Sequence, residues 1–292
     1  MKQKRAVTAL VICIAVLAAL ASATGIVMDK GPGRYTHESI RGSTITIYGK
    51  GLYRHMSADV AIQGIAQDYV TLFLGIPLLL LSLYFAVVKN SLRGRFLLAG
   101  VVGYFLVTYL FYTTMGMYNA MFLAYVTLLA TSFFALSLLL LSFDLPRVPA
   151  YFSQDTPVRV TGGFLIFNSL AIAFLWLGII VPPLLDGTII PLQVEHYTTL
   201  IVQGLDLGLL LPLGFVSGLQ FLRRRPWGYL LTTVYFGFLS LLMTALTAKI
   251  IAMALAGVSV FPVVFIIPTF NLIAIVCEVL LLRNIRPTKP IV

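Results

Sequence analysis

Apolar runs of about 20 residues recur along this chain, at 6–28, 69–88, 96–114, 119–143, 162–185, 199–222, 227–255 and 261–282. A helix of that length crosses about 30 Å of hydrocarbon. Each run is continuously apolar and does not alternate, which predicts helices and argues against a transmembrane barrel. The composition agrees. Of 292 residues, 60% are hydrophobic and only 10% charged, against about a quarter charged in a soluble domain. The expected fold class is all-α: a polytopic integral membrane protein of about eight transmembrane helices.

The first run has two readings. Met1-Lys2-Gln3-Lys4-Arg5 is basic, and Ala21-Ser22-Ala23 looks like a signal-peptidase site. The run continues through Ile26-Val27-Met28, which suits a span better than a signal core, so a retained helix is expected.

The net charge of +10 would suggest nucleic acid in a soluble protein. With no soluble domain to present a reading surface, no nucleic acid is expected and the lipid bilayer is the partner. Placing the N-terminus in the cytoplasm puts 14 of the 20 basic residues there: Lys2, Lys4, Arg5, Lys89, Arg93, Arg95, Arg147, Arg159, Arg223, Arg224, Arg225, Arg283, Arg286 and Lys289. Lys30, Arg34, Arg41, Lys50 and Arg54 share one long outer loop, and Lys249 lies inside a span. The short outer connections carry no basic residue. This predicts a multi-pass protein of the cell membrane with both termini cytoplasmic.

An internal duplication is expected. Gln63-Gly64, Asp68, Pro77 and the basic turn Lys89 to Arg95 have counterparts in Gln203-Gly204, Asp206, Pro212 and Arg223-Arg224-Arg225, with Asp68 set against Asp206. Residues 1–145 form the first four-helix repeat (outer loop 29–67), 146–161 a cytoplasmic linker rich in proline, and 162–292 the second repeat. Four helices per half give both copies the same orientation, as in parallel-repeat transporters. Each proline should kink its helix. In the outer loop, Ser43 to Tyr48 alternates and turns at Gly49-Lys50-Gly51 into Leu52-Tyr53-Arg54, which predicts a small surface hairpin. A short amphipathic helix over 58–66 should lead into the second span.

Three segments, Gly51-Leu52-Tyr53, Tyr118-Asn119-Ala120-Met121-Phe122-Leu123-Ala124-Tyr125, and Gln203 to Gly208 with Arg223 to Tyr229, give the chain a likeness. It resembles an uncharacterised family of bacterial polytopic integral membrane proteins. The resemblance implies a membrane bundle and no particular activity.

Ionisable residues within spans are costly and usually face the bundle interior. Asp206 and Lys249 both fall towards the outer side and are expected to pair on neighbouring helices, either as a polar-ligand or proton site or as a structural ion pair. Asp68 is expected at the outer mouth of the second span, as a first-turn carboxylate favoured by the helix dipole or as a third member of that ligand site. Glu278 should snorkel to the cytoplasmic rim near Arg283. Tyr112 and Tyr118 fit an outer aromatic belt, while Tyr104, Tyr109 and Tyr125 fit helix packing or a cavity wall. Asn119 and Asn168 are candidates for hydrogen bonds between helices.

No metal and no cofactor is expected. His37, His55 and His196 lie near Glu38, Asp59 and Glu195 but lack metal-ligand spacing. Cys13 and Cys277 make no paired motif, and no nucleotide-binding loop or nucleophile elbow is present. The leading expectation is a small permease or ligand-binding membrane protein, its site between the repeats and its ligand small and polar or lipid-like. The alternatives are an intramembrane enzyme acting on a lipid-like substrate, with the outer acids and histidines as acid/base groups, or an accessory or signalling subunit that contacts a membrane-protein partner through 29–67.

Overall fold

A computed structural model describes residues 3–286; Lys2 and Lys289 of the expected basic rim lie outside them. Among the described residues, eight helices are long and apolar enough to cross a membrane: α1 (Lys4–Val27), α2 (Ala58–Val87), α3 (Leu92–Thr114), α4 (Phe122–Leu140), α5 (Val158–Asp186), α6 (Ile201–Leu222), α7 (Pro226–Leu255) and α8 (Val263–Asn284). The chain is a multi-pass membrane protein. Loops 28–57, 115–121, 187–200 and 256–262 lie on one side of the bundle, here called the loop face. Its opposite, the basic face, carries the turns at Lys89–Arg95 and Arg223–Arg225.

Helices α3 and α7 form the centre. They pack on each other, α3 also against α2 and α4, and α7 also against α2, α6 and α8. Their contact is close because it is made by glycine. A Cβ on Gly100 would lie 2.7 Å from the Gly237 Cα, and one on Gly237 would lie 3.0 Å from the Gly100 Cα. Small residues are the usual means of bringing helices together where lipid supplies no hydrophobic drive. Outside this centre many apolar side chains face outward, such as Phe174, Leu185 and Leu255, as a lipid-facing surface requires.

Helix α1 is packed against α4 and α2. Its buried positions Val7, Val11, Ile14 and Ala18 fall at helical spacing on one face.

Helix α2 departs from expectation. The amphipathic stretch and the apolar run form one helix, interrupted by a five-residue π-helical turn, Thr71–Gly75. Helix α6 contains the same device at Asp206–Leu210. In both, a twelve-residue α-helical segment follows, with proline as its second residue: Pro77 in Ile76–Val87 and Pro212 in Leu211–Leu222. Proline cannot donate to the carbonyl four residues back and its ring crowds that carbonyl. Those carbonyls belong to Phe73 and Gly208, inside the widened turns, where i→i+5 bonding accommodates the mismatch.

The linker is tied into the bundle. Phe152 packs on Phe96 and Tyr229, with ring centroids 5.7 and 5.1 Å apart. The Arg286 amide donates to the Tyr151 carbonyl at 2.7 Å, and the Arg93 guanidinium donates to the Ile285 carbonyl at 2.7 Å.

On the loop face, Tyr35–Glu38 (β1) pairs antiparallel with Thr44–Ile47 (β2), Tyr35 opposite Ile47. The alternating stretch is therefore a strand, but its partner precedes it. Leu52-Tyr53 turns inward instead, with Leu52, Tyr53 and Met56 buried in a small apolar cluster of their own. Two large apolar side chains separated by one turn are worth more buried than in an exposed strand.

Candidate functional site

The continuity of α2 decides where Asp68 sits. Because the helix begins at Ala58, Asp68 lies about 15 Å along it at 1.5 Å per residue, not in a first turn at the mouth. It is only 4% exposed. Tyr53 reaches down from the loop and donates its hydroxyl to Asp68 Oδ2. Tyr112 of α3 places its hydroxyl 3.2 Å from Asp68 Oδ1, 3.1 Å from the Gly64 carbonyl and 3.2 Å from the Tyr53 oxygen. From α1, Gly25 makes room for the carboxylate, since a Cβ there would collide with Oδ2. Tyr109 and Tyr125 complete an aromatic wall, stacked on each other at 6.0 Å and set 5.8 and 5.1 Å from Tyr112. Burial, then the neighbouring Tyr112 and Asp68, hold the Tyr53 phenol well above its ordinary value, so Tyr53 stays a donor.

Tyr112 thus points into the protein, as a ligand of a buried acid, and is not part of a belt; Tyr118 is 76% exposed. A small indentation of about 70 Å³ opens beside this wall, lined by Tyr112, Gly116, Tyr118, Asn119, Phe122 and Tyr125. The buried Tyr125 hydroxyl has no partner.

Asp206 and Lys249 do not form the expected ion pair. Among the described residues the one salt bridge within 4.0 Å is Arg147–Asp144. Asp206 is half-buried in the π-helical turn of α6 and its Oδ2 accepts from the Trp176 indole at 2.8 Å. The indole of α5 takes the carboxylate that the sequence assigns to Lys249. Lys249, half-buried on α7, has no carboxylate oxygen within 4.0 Å among the described residues. The three residues named from the sequence are brought to the same half of the bundle, one from the first half of the chain and two from the second. Next to them, between α2 and α7, runs an apolar groove of about 340 Å³ lined by residues that include Ile65, Tyr69, Ala248 and Ala252.

Loops from the two halves meet above this region. The Arg41 guanidinium donates to the carbonyls of Glu195, Tyr197 and Thr198 at 3.0–3.4 Å. The Tyr197 hydroxyl accepts from the Ser57 amide at 3.1 Å. His196 lies 3.1 Å from the His55 carbonyl and its ring centroid is 6.1 Å from that of His37. Among the described residues, no three His, Cys, Asp or Glu side chains are grouped to hold a metal.

Two more expectations are corrected. Asn119 does not bridge helices; it caps its own turn, accepting from the Met121 amide at 2.9 Å, because α4 begins at Phe122. Asn168 is buried with its Oδ1 unpartnered.

Sequence reasoning missed Tyr53, Trp176 and Gly25 as neighbours of the two acids. Tyr53 was legible only as part of a turn, and no local signal ties a loop tyrosine to an acid one helix away. No family model, no curated protein and no solved structure matches this chain.

Proposed function

We propose that the protein is a small permease or ligand-binding membrane protein, with a site for a small polar solute between two parallel four-helix repeats. The observation that carries this reading is an unclosed charge arrangement in the loop-face half of the bundle. Among the described residues Lys249 forms no ion pair within 4.0 Å with Asp68 or Asp206, the two acids that opposite halves contribute. A purely structural cation in a membrane would be expected to close on one carboxylate. One left unpaired is set to pair with a bound solute or with a carboxylate as the halves move.

The repeat is supported by the matched interruptions in α2 and α6: π-helical turn, proline at the second position, and twelve residues to the basic turn. The next helix returns against the same place in each, with Gly94 close to Phe85 and Ala86, and Gly228 close to Gln220 and Phe221. In this correspondence Thr71, not Asp68, stands opposite Asp206, so the two acids are not copies of one another. The π-helical turns are the elements about which the halves would move. The clustering of basic residues in these turns supports an orientation with the loop face outside and both termini cytoplasmic.

The test uses Trp176 as reporter. With Trp227→Phe removing the other tryptophan, the full chain in lipid nanodiscs is titrated with ammonium, choline, glycine and glucose. A saturable change in Trp176 emission is expected for at least one solute, lost in Asp68→Asn and Lys249→Met variants that retain their melting transition. Solute-independent emission throughout, with no uptake of any of the four into proteoliposomes, would sink the reading.

A further inference from the structure

Helix α8 carries a single carboxylate, Glu278, among apolar neighbours. The sequence suggests that it reaches for the basic rim and Arg283. It does not. Glu278 belongs to the buried face of α8 with Ile267, Ala274, Cys277 and Leu281, and is 5% exposed. Its Oε1 lies 3.3 Å from where a Cβ on Gly237 would sit, at the glycine crossing of α3 and α7. The carboxyl lies against the space that a side chain on Gly237 would fill. Neither Oε1 nor Oε2 has a hydrogen-bond partner, and no cation lies within 4.0 Å among the described residues.

This is a costly arrangement. An ionised carboxylate buried without donors costs several kcal/mol, and an apolar side chain of similar volume would pack there more favourably. Intramembrane acids of this kind mark ion or proton pathways by default. A metal cation would need about six oxygen ligands, whereas among the described residues no three His, Cys, Asp or Glu side chains are grouped to hold one. A proton needs one acceptor. Of the elements packed here, α3 brings the buried phenol of Tyr104 one turn from Gly100, engaged with Gln67 and Thr71; α7 brings Tyr235 two residues from Gly237, donating to the Leu210 carbonyl; and on α8 the neighbouring titratable group is the buried thiol of Cys277.

We infer that Glu278 is a proton-binding site in the core of the bundle, loading from and releasing to water. On release the O–H bond breaks, the proton passes to water as hydronium, and the carboxylate is left charged. The inference does not rest on the solute site at Asp68 and Lys249, and either can fail without the other.

The experiment treats the full chain in detergent micelles with dicyclohexylcarbodiimide, which adds to a protonated carboxyl in an apolar setting, and maps adducts by peptide mass spectrometry. Glu278 is expected to label, its yield falling about tenfold per pH unit above its midpoint, and the adduct is expected to be absent from Glu278→Gln. The wild-type pH series stands even if that variant does not fold. An absence of label at every pH would overturn the inference, as would protection by sodium chloride at constant pH, the mark of a metal-cation site.

Discussion

Replacing Tyr53 by Phe removes one hydroxyl and leaves the ring, which is buried against Gly64 with its nearest ring carbons 3.2 Å from a Cβ built there. The cavity created is that of a single oxygen, so the expected loss comes from Asp68. Its Oδ2 would lose its hydrogen-bond donor, and Tyr112 at 3.2 Å from Oδ1 already divides its single proton between Asp68 and the Gly64 carbonyl. A hydrogen bond to a charged group contributes about 1.5–3 kcal/mol and a neutral one about 0.5–1.5 kcal/mol. Tyr53→Phe should therefore destabilise the protein by about 1–3 kcal/mol, measured by equilibrium unfolding in mixed micelles followed by tryptophan emission. The exposed Tyr118→Phe serves as control and should stay within about 0.5 kcal/mol. The decisive quantity is the coupling in a double-mutant cycle with Asp68→Ala, which removes the acceptor oxygens and isolates the pair from the ring's packing. A coupling of at least about 1 kcal/mol is expected. A coupling indistinguishable from zero would refute the claim that Tyr53 holds Asp68, whatever the single variants cost.

Three further outcomes follow from the same geometry. Burial first of all raises the phenols of both Tyr53 and Tyr197 above their ordinary value. Below about pH 10 these groups are protonated in folded and unfolded chain alike. Above it the unfolded chain loses its protons first, so stability should decline as pH rises, and Tyr53→Phe should flatten that alkaline slope; an unchanged slope counts against the burial of Tyr53. Gly100→Ala places a methyl 2.7 Å from the Gly237 Cα and 2.9 Å from the Val234 carbonyl, so α3 and α7 must separate at a cost of about 1–3 kcal/mol; a neutral result in the same unfolding assay would show that the crossing is looser than described. Arg41→Ala removes the donor to three carbonyls of the 195–198 segment and should speed amide exchange across 192–198 with little change in global stability; unchanged exchange would mean the loops are held by other contacts.

How much of this was legible in the residues can be seen helix by helix. Length and continuous apolarity set the number of spans, because a helix is the only way a single run can satisfy its backbone in hydrocarbon, and that requirement is local. Glycine and proline marked the turns and the two interrupted helices, again through local backbone chemistry. The sequence also placed Asp68, Asp206 and Lys249 in the same half of the bundle, since depth follows from counting residues along a helix. It could not assign their partners. Which face of α2 carries Asp68 inward depended on the helix starting at Ala58, and on Tyr53 folding down from a loop 15 residues away. Trp176, 30 residues before Asp206, took a carboxylate that depth alone assigned to Lys249. Arg283 follows Glu278 closely and suggests a rim residue, but rotation about the α8 axis, set by packing on α7, turns it to the Gly100–Gly237 crossing. In a chain so uniformly apolar, hydrophobic periodicity carries little information about rotation, because lipid-facing and core-facing positions are filled by the same residue types. The number of apolar helices long enough to span a membrane, and the half of the bundle in which a residue falls, are thus determined by the sequence alone. The azimuth of each helix, and with it every pairing at the candidate sites, was decided by tertiary packing.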